Sequence, residues 1–373
     1  MKFGIITHAV HKVKDGQIYG YEPYVREMNL WTKYVDEIII LAPITKKEIS
    51  SIEIAYQHPN IKVVEILNFD ITSFKNLLKS ILIIPQICSL IYRVMKEVNH
   101  IHLRCPGNVG LLGCLVQIAF PSKQKTAKYA GNWDPKSKQP LSYKFQKWLL
   151  SNTFLTKNMK VLVYGDWPNQ TKNIIPFFTA SYHQDEMIAI PPKNVNQQIQ
   201  LIFVGGLTVG KQPLISVKAT HQLLKKGYEV VLHIYGDGVQ RTELEAYVKV
   251  HQLESKVVLH GNVEKDVVKR AFQASHFLIF ISKSEGWPKV VAEAMFWECL
   301  PITSKVSCVP YMLGDNTRGR VVDSNVDEVV SAIEAYLQTP NRYLEHAANA
   351  KQWSRQFTLG KFEQEIKKLL LNE

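Results

Sequence analysis

Ser284-Glu285-Gly286-Trp287-Pro288-Lys289-Val290-Val291-Ala292-Glu293-Ala294 sets the architecture expected of the second half of the chain. It follows FLIFIS (277–282), an apolar run with the composition of a buried strand. Gly286 permits a sharp turn and Pro288 suits the first position of a helix, so the segment reads as strand, turn, helix. The helix N-terminus then faces the strand's carboxyl end, where free amides and the macrodipole favour an anion. Pro288 has no N–H, which leaves neighbours such as Lys289 and Val290 as donors. Glu285 lies just outside the helix and Glu293 about one turn inside. Helical side chains lean back towards the N-terminus, so Glu293 can reach the mouth. A carboxylate there can accept two hydrogen bonds from a vicinal diol such as a ribose. An ordinary surface ion pair is the competing reading. The apolar flanks Val290, Val291, Ala292, Ala294 and Met295 argue against it.

Upstream, QLIFVGG (200–206) ends in Gly205-Gly206 and precedes a helix expected to start near Lys211. Glycines after a first strand let backbone amides approach a phosphate, although alone they also fit a plain tight turn. Tyr235-Gly236-Asp237-Gly238 and His260-Gly261-Asn262-Val263 close the next two strands, EVVLHIYG (229–236) and KVVLHG (256–261), on the same ligand-facing edge. LPITS (300–304) follows. Helical patterns lie near 211–226, 239–251, 265–274 and 289–298.

The first half alternates in the same way. Strands are expected at 3–7, 37–42, 62–67, 100–104, 127–131 and 161–165, and helices near 20–34, 73–98, 107–119 and 141–156. Residues 181–198 are polar, carry Pro191-Pro192 and read as an interdomain connection. Alternation of this kind argues for parallel sheets covered on both faces. The fold class is therefore α/β, with two doubly wound Rossmann-like domains facing each other across a cleft that is the default ligand site. The expected division is 1–185 for an acceptor domain, 186–355 for a donor domain and 356–373 for a last helix, in which Phe362, Ile366, Leu369 and Leu370 repeat at helical spacing.

Together these features resemble the retaining, two-domain GT-B glycosyltransferases of family 4, also called glycosyltransferases group 1. The Glu-x7-Glu of Glu285 and Glu293 matches the family's S-E-G-F-P-N-V-V-L-E-A, backed by VGGL…K at 204–211, YGDG and HGNV in the right order. The resemblance covers the second domain, while the first matches in layout only. It implies that the last helix crosses back to the first domain. It also implies a nucleotide-sugar donor (UDP- or GDP-linked) bound by Gly205, Gly206, Gly236, Asp237, Gly238, Asn262 and Val263. Gly286, Trp287 and the backbone of Pro288, Lys289 and Val290 would line its sugar and phosphate. Glu293 would hold the ribose, Glu285 the donor sugar near its reacting carbon, and Lys211 the diphosphate. No cofactor or metal is implied.

Two departures stand out. Gly206 occupies the place of the Arg in the family's V-G-R-L. No His matches the V-H-D-like turn of the first domain, where Asn132, in Tyr129-Ala130-Gly131-Asn132-Trp133-Asp134, is the expected substitute hydrogen-bond donor. Gly16, Tyr19 and Gly20, read as a loop after the first strand, are expected acceptor contacts. His102 is an alternative polar contributor, against the bland reading of a core histidine. A GT-B-shaped nucleotide-sugar epimerase or hydrolase and a non-catalytic binding subunit remain open.

The 373 residues, 46% apolar and 21% charged, exclude disordered, collagenous and coiled-coil classes. Of the net +12, residues 1–180 carry 23 Lys/Arg against 12 Asp/Glu, and the rest 22 against 21. Residues 123–160 hold nine lysines (Lys123, Lys125, Lys128, Lys136, Lys138, Lys144, Lys147, Lys157, Lys160) against Asp134, with Trp133, Tyr143, Phe145 and Trp148 interleaved. No nucleic-acid module accompanies them. An anionic membrane surface or lipid-linked acceptor fits better than nucleic acid, with a merely solvated lysine surface as the alternative. No secretory signal is read, and the apolar run 77–95 is interrupted by Lys79, Pro85, Gln86 and Arg93. Five cysteines without metal spacing suggest a reduced cytoplasmic protein, peripheral at the inner face of the cell membrane.

Overall fold

The computed structural model describes residues 1–50, 52–67 and 74–371, and their side chains apart from 74–82. Two compact units divide the chain, Met1–Phe177 with Glu363–Glu373, and Phe178–Phe362.

The first unit runs β1 (Lys2–Ile6), β2 (His11–Lys14), β3 (Gln17–Tyr21), α1 (Glu22–Thr32), β4 (Glu37–Pro43), β5 (Glu53–Ala55), β6 (Ile61–Ile66), α2 (Phe74–Glu97), β7 (His100–Cys105), α3 (Asn108–Val116), β8 (Gln124–Tyr129), α4 (Leu141–Ser151), β9 (Met159–Tyr164) and β10 (Ile174–Phe177). Seven strands form one parallel sheet in the order β10-β9-β8-β7-β1-β4-β6. Phe3, Ile5, Ile6 and the Ile38–Ala42 run are fully buried, as expected of strands covered on both faces. The chain leaves β1 towards β4 and β6, then returns through β7 to β8, β9 and β10. The switch in direction therefore falls between β1 and β7.

All six strands read from the sequence form. β8 begins at Gln124, earlier than expected, because its lysines are buried rather than terminal. Lys125 Nζ donates to the Phe120 carbonyl at 2.9 Å, and Lys128 Nζ lies 4.6 Å and 4.4 Å from the ring centres of Tyr164 and Phe177. Ser73, at the expected start of the long helix, lies outside the described residues, as do the side chains of 77–82. No helix among the described residues is long and apolar enough to cross a membrane.

Gly16–Gly20 is not a loop. Residues 17–21 are strand β3, paired antiparallel with β2 and β5 in a separate three-stranded sheet. Asp15 (φ 50°) and Gly16 (φ 75°) form the left-handed two-residue turn that a tight hairpin requires. The Asp-Gly pair between His11–Lys14 and Gln17–Tyr21 was the readable signal.

The second unit runs β11 (Ile199–Val204), α5 (Pro213–Lys225), β12 (Val230–Tyr235), α6 (Arg241–Val250), β13 (Val257–Gly261), α7 (Lys265–Ala274), β14 (Phe277–Phe280), α8 (Lys289–Phe296), β15 (Leu300–Ser304), α9 (Val309–Leu313), β16 (Arg320–Val322), α10 (Val326–Leu337) and α11 (Pro340–Ser354). Its six strands are parallel in the order β13-β12-β11-β14-β15-β16. The polar segment 181–198 has no regular structure, but it is anchored. Lys193 Nζ donates to the carbonyls of Phe272 (3.0 Å), Ser275 (2.6 Å) and Trp297 (2.8 Å), at the carboxyl ends of α7 and α8. A cation suits these ends because their last carbonyls are unpaired and carry the negative pole of the helix.

The expected last helix forms as α12 (Leu359–Leu371), with Phe362, Ile366 and Leu370 buried. Glu363 accepts hydrogen bonds from Lys33 Nζ at 2.9 Å and Tyr34 Oη at 2.8 Å, within the first unit.

Candidate active site

In the second unit the chain leaves β11 towards β12 and β13, then crosses to β14, β15 and β16. The switch point is between β11 and β14, and ligands of open α/β sheets bind outside the carboxyl ends of strands at such a point. The sequence-read motifs lie there for a topological reason, since each is the loop leaving a strand's carboxyl end.

After β11 come Gly205 and Gly206, and after β14 comes the turn that carries Glu285. Lys211 Nζ makes an ion pair and hydrogen bond with Glu285 Oε1, and lies 4.8 Å from the Phe280 ring centre. The two loops are tied by Lys283 N–H to the Gly210 carbonyl at 2.8 Å and Ser282 Oγ to the same carbonyl at 3.3 Å. Lys211 and Glu285, 74 residues apart, therefore meet on a braced frame. The Gly286 carbonyl accepts from Ser307 Oγ at 2.9 Å and Cys308 Sγ at 3.2 Å, which fixes the turn. Ser307 was not read from the sequence, and Cys308 was read only as one of the five reduced cysteines.

α8 begins at Lys289 with Pro288 at its N-cap and no side-chain cap, so its first amides have no acceptor from a capping side chain. One turn in, Glu293 Oε1 accepts from Ser181 Oγ at 2.5 Å. Ser181, in the segment read only as a connection, thus fixes the Glu293 carboxylate. The Ser181 carbonyl in turn accepts from Lys265 Nζ at 2.5 Å. Trp287 is placed differently from expectation. The residue is 7% exposed and its indole stacks 6.1 Å from Trp353, with Phe357 edge-on at 5.7 Å, so the side chain packs the core.

The β12 loop interlocks with the β11 loop. Gly205 N–H donates to the Tyr235 carbonyl (2.9 Å) and Leu207 N–H to the Asp237 carbonyl (3.0 Å), while Gly236 N–H ties the β12 loop to β13 at the Gly261 carbonyl (2.8 Å). Asp237 Oδ1 accepts from Gly238 N–H at 2.7 Å and Oδ2 pairs with Arg241 at 3.3 Å, so part of its role is to hold its own turn. Asn262 and Val263 are exposed beyond β13. At Gly206 an added Cβ would meet only Thr208 at 3.7 Å and the Asp237 carbonyl at 3.9 Å, so the missing arginine is not a steric requirement.

In the first unit, Asn132 Oδ1 accepts from Asp134 N–H at 2.9 Å, which leaves its Nδ2 to offer a ligand. Tyr19 and Gly20 lie on β3, with Tyr19 Oη donating to Gln17 Oε1 at 2.7 Å. His102 is corrected. It is fully buried in β7, 2.9 Å from Thr126 Oγ1 and against Phe3 and Trp31, where no acceptor reaches it. Burial holds its pKa well below the ordinary value, and neighbouring His100, Arg104 and Lys128 add to that. His8 follows β1 and Arg104 lies on β7, the two strands that flank the first unit's own switch point. Arg104 pairs with Glu27 at 3.3 Å and lies 5.2 Å from the Tyr24 ring centre. His8 lies against Gly107, where an added Cβ would be 2.9 Å from its Nδ1. His8 was not among the site residues read from the sequence. Among the described residues no group of three His, Cys, Asp or Glu is placed to hold a metal ion.

Two parallel-sheet units of this kind make up the GT-B fold. Anabaena HepE in complex with UDP matches over 100% of this chain and 99% of its own with a TM-score of 0.68 at 13% identity. Sucrose-phosphate synthase from Thermosynechococcus elongatus matches over 100% and 98% with a TM-score of 0.67 at 15% identity. At these identities the likeness shows the fold. Residues 184–353 match the model of the family described as glycosyl transferases group 1. Over 176 residues the chain is 33% identical to the GalNAc-alpha-(1->4)-GalNAc-alpha-(1->3)-diNAcBac-PP-undecaprenol alpha-1,4-N-acetyl-D-galactosaminyltransferase of Campylobacter jejuni. That match covers 46% of this chain and 47% of the relative, about half the length of each.

Proposed function

We propose that the protein transfers a sugar from a nucleotide-sugar donor to a glycan or lipid-linked acceptor, with retention of anomeric configuration, in surface polysaccharide biosynthesis at the inner face of the cell membrane. The observation that carries this is the Lys211–Glu285 ion pair on the loops leaving β11 and β14, which flank the switch point, with the uncapped α8 following Glu285 and carrying Glu293 one turn in. Lys211 and the α8 amides take the diphosphate, and Glu293 takes the ribose diol while Ser181 orients it. Glu285 borders the donor sugar and steadies Lys211. Asn132 is assigned a hydrogen bond to the donor sugar through Nδ2. The acceptor is assigned to the β2–β3 hairpin around Gly16, Tyr19 and Gly20, and to His8 and Arg104 in place of His102. UDP or GDP is the proposed carrier, and HepE was solved with UDP. The named undecaprenol-linked acceptor of the Campylobacter jejuni relative supports a lipid-linked one here.

In the proposed step the bond from anomeric carbon to phosphate oxygen breaks and its electron pair leaves with the diphosphate. The acceptor oxygen forms its bond on the same face and gives its proton to the departing phosphate oxygen. Lys211 and the helix mouth stabilise the charge that builds there, so no enzymic base is called for. NMR of the product from a donor of known anomeric configuration should show that configuration kept, and inverted product overturns the mechanism. Incubation with donor alone should give slow hydrolysis only. Rapid epimerisation or hydrolysis selects the competing enzyme reading.

A further inference from the structure

We propose that α4 and the turn after it form a face that docks this protein onto an anionic lipid surface. Isolated exposed apolar side chains are normal on any protein and need no explanation. Here four large ones fall within fourteen residues. Leu141 is 83% exposed, Phe145 44%, Trp148 56% and Phe154 75%. Leu141, Phe145 and Trp148 stand at i, i+4 and i+7, so they form one stripe along α4. Gln146, Leu149 and Leu150, on another side of the same helix, are buried against the unit. The helix therefore has its core-facing side satisfied and a second apolar stripe left over. Phe145 and Trp148 stack with ring centres 5.7 Å apart, which presents them as one flat apolar surface.

The turn after α4 is built to hold Phe154 outward. Asn152 Oδ1 accepts from the N–H groups of Phe154 and Leu155, each at 3.1 Å, and the Asn152 carbonyl accepts from Thr156 N–H at 3.0 Å and Thr156 Oγ1 at 2.6 Å. Gln117 Nε2 ties the Leu155 carbonyl to the unit at 3.0 Å. Lys157 Nζ sits 5.2 Å from the Phe154 ring centre.

Charge selects the occupant. Residues 135–165 hold Lys136, Lys138, Lys144, Lys147, Lys157 and Lys160 and no acidic residue. Lys136, Lys138, Lys144 and Lys157 are exposed around the stripe. Apolar anchors rimmed by lysines match the boundary between acyl chains and anionic headgroups. A protein partner would need a complementary acidic, apolar surface of equal breadth, whereas a membrane supplies both terms everywhere. α4 starts after the loop that leaves the carboxyl end of β8, and Phe154 lies beyond its other end, before β9, so docking by this face lays the helix along the headgroup layer. The proposal takes its purpose from the lipid-linked acceptor reading, but its observations are independent of it.

The test is co-sedimentation of the full chain with phosphatidylcholine vesicles with or without about one third phosphatidylglycerol, across salt. The intact protein should bind the anionic vesicles, less as salt rises. Trp148→Ser with Phe154→Ser should weaken that binding by about tenfold or more. The far-ultraviolet circular dichroism and urea-unfolding midpoint of the double variant should match those of the intact protein, which shows that it is folded. Lys144→Gln with Lys157→Gln should reduce the salt dependence. Binding that ignores lipid charge, survives loss of both aromatics, or never occurs overturns the proposal. So does a dimer in sedimentation velocity that the double variant abolishes, since the occupant is then a second copy. Failure of the intact protein to bind nucleotide strikes the transferase reading and leaves the vesicle result standing.

Discussion

Gly236→Ala is expected to destabilise the second unit by about 3 kcal/mol or more and to abolish nucleotide binding. Gly236 has φ 130°, a region that L side chains rarely adopt, and an ideal Cβ there would lie 2.0 Å from the Gly205 carbonyl oxygen and 2.8 Å from its carbon. The obstruction is backbone, so no rotamer relieves it. Relief requires moving the β11 loop, whose Gly205 N–H is bonded to the Tyr235 carbonyl. That loop also leads to Lys211, so the same displacement separates Lys211 from the α8 mouth. Gly227 is the control. It has φ +89° but nothing within 4 Å of an added Cβ, so Gly227→Ala should cost only the conformational strain, about 1–2 kcal/mol, and leave binding intact. Urea unfolding followed by far-ultraviolet circular dichroism, with nucleotide titration on the same samples, separates the two. Equal effects at both positions contradict the interlock.

Acid should destabilise the protein well above the range in which ordinary carboxylates titrate. His11, His100 and His276 are buried, and burial depresses the pKa of each to about 4. The ordinary value is 6.5, so between pH 6.5 and 4 the unfolded chain binds protons that the folded protein refuses. Stability therefore rises with pH in that window, is fully present above 6.5, and is lost as pH falls. At pH 5 the loss is roughly 2 kcal/mol per histidine. Three such groups amount to a large fraction of the 5–15 kcal/mol typical of a domain, roughly speaking. His100 and His102 share Thr126 Oγ1, each at 2.9 Å, so protonating either disturbs the other. Unfolding midpoints in urea should fall steeply from pH 7 to pH 5, and constant midpoints contradict the assignment of neutral, buried histidines.

Most of the second unit was legible because its signals are local. Short β-branched runs make the strands, and Gly286, Pro288 and the Glu285–Glu293 spacing depend only on neighbours in sequence. What was not legible depends on contacts made far along the chain. Ser181 reaches Glu293 across 112 residues, and Ser307 fixes the Gly286 carbonyl across 21. Neither carries a pattern that a sequence displays. His102 was an open choice because strand alternation does not say which face of a parallel sheet is accessible, and here both are covered. β8 was read three residues late because Lys125 looks like a polar boundary until the Phe120 carbonyl supplies its partner. Strand β16 and helices α9, α10 and α11 passed unread. β16 has three residues and α9 five, below the length at which periodicity speaks. The hairpin is a different case, since Asp15-Gly16 was readable and was taken for a loop.

The central claim is that the second unit binds a nucleotide-sugar at the α8 mouth with Glu293 on the ribose. Calorimetric titration of UDP- and GDP-sugars into the intact protein and into Glu293→Ala tests it most directly. The intact protein should bind one carrier, and Glu293→Ala should weaken that binding by about a hundredfold, the equivalent of about two charge-assisted hydrogen bonds. It should weaken the nucleoside diphosphate as much as the full donor, because both carry the ribose. Unchanged affinity in Glu293→Ala would contradict the account.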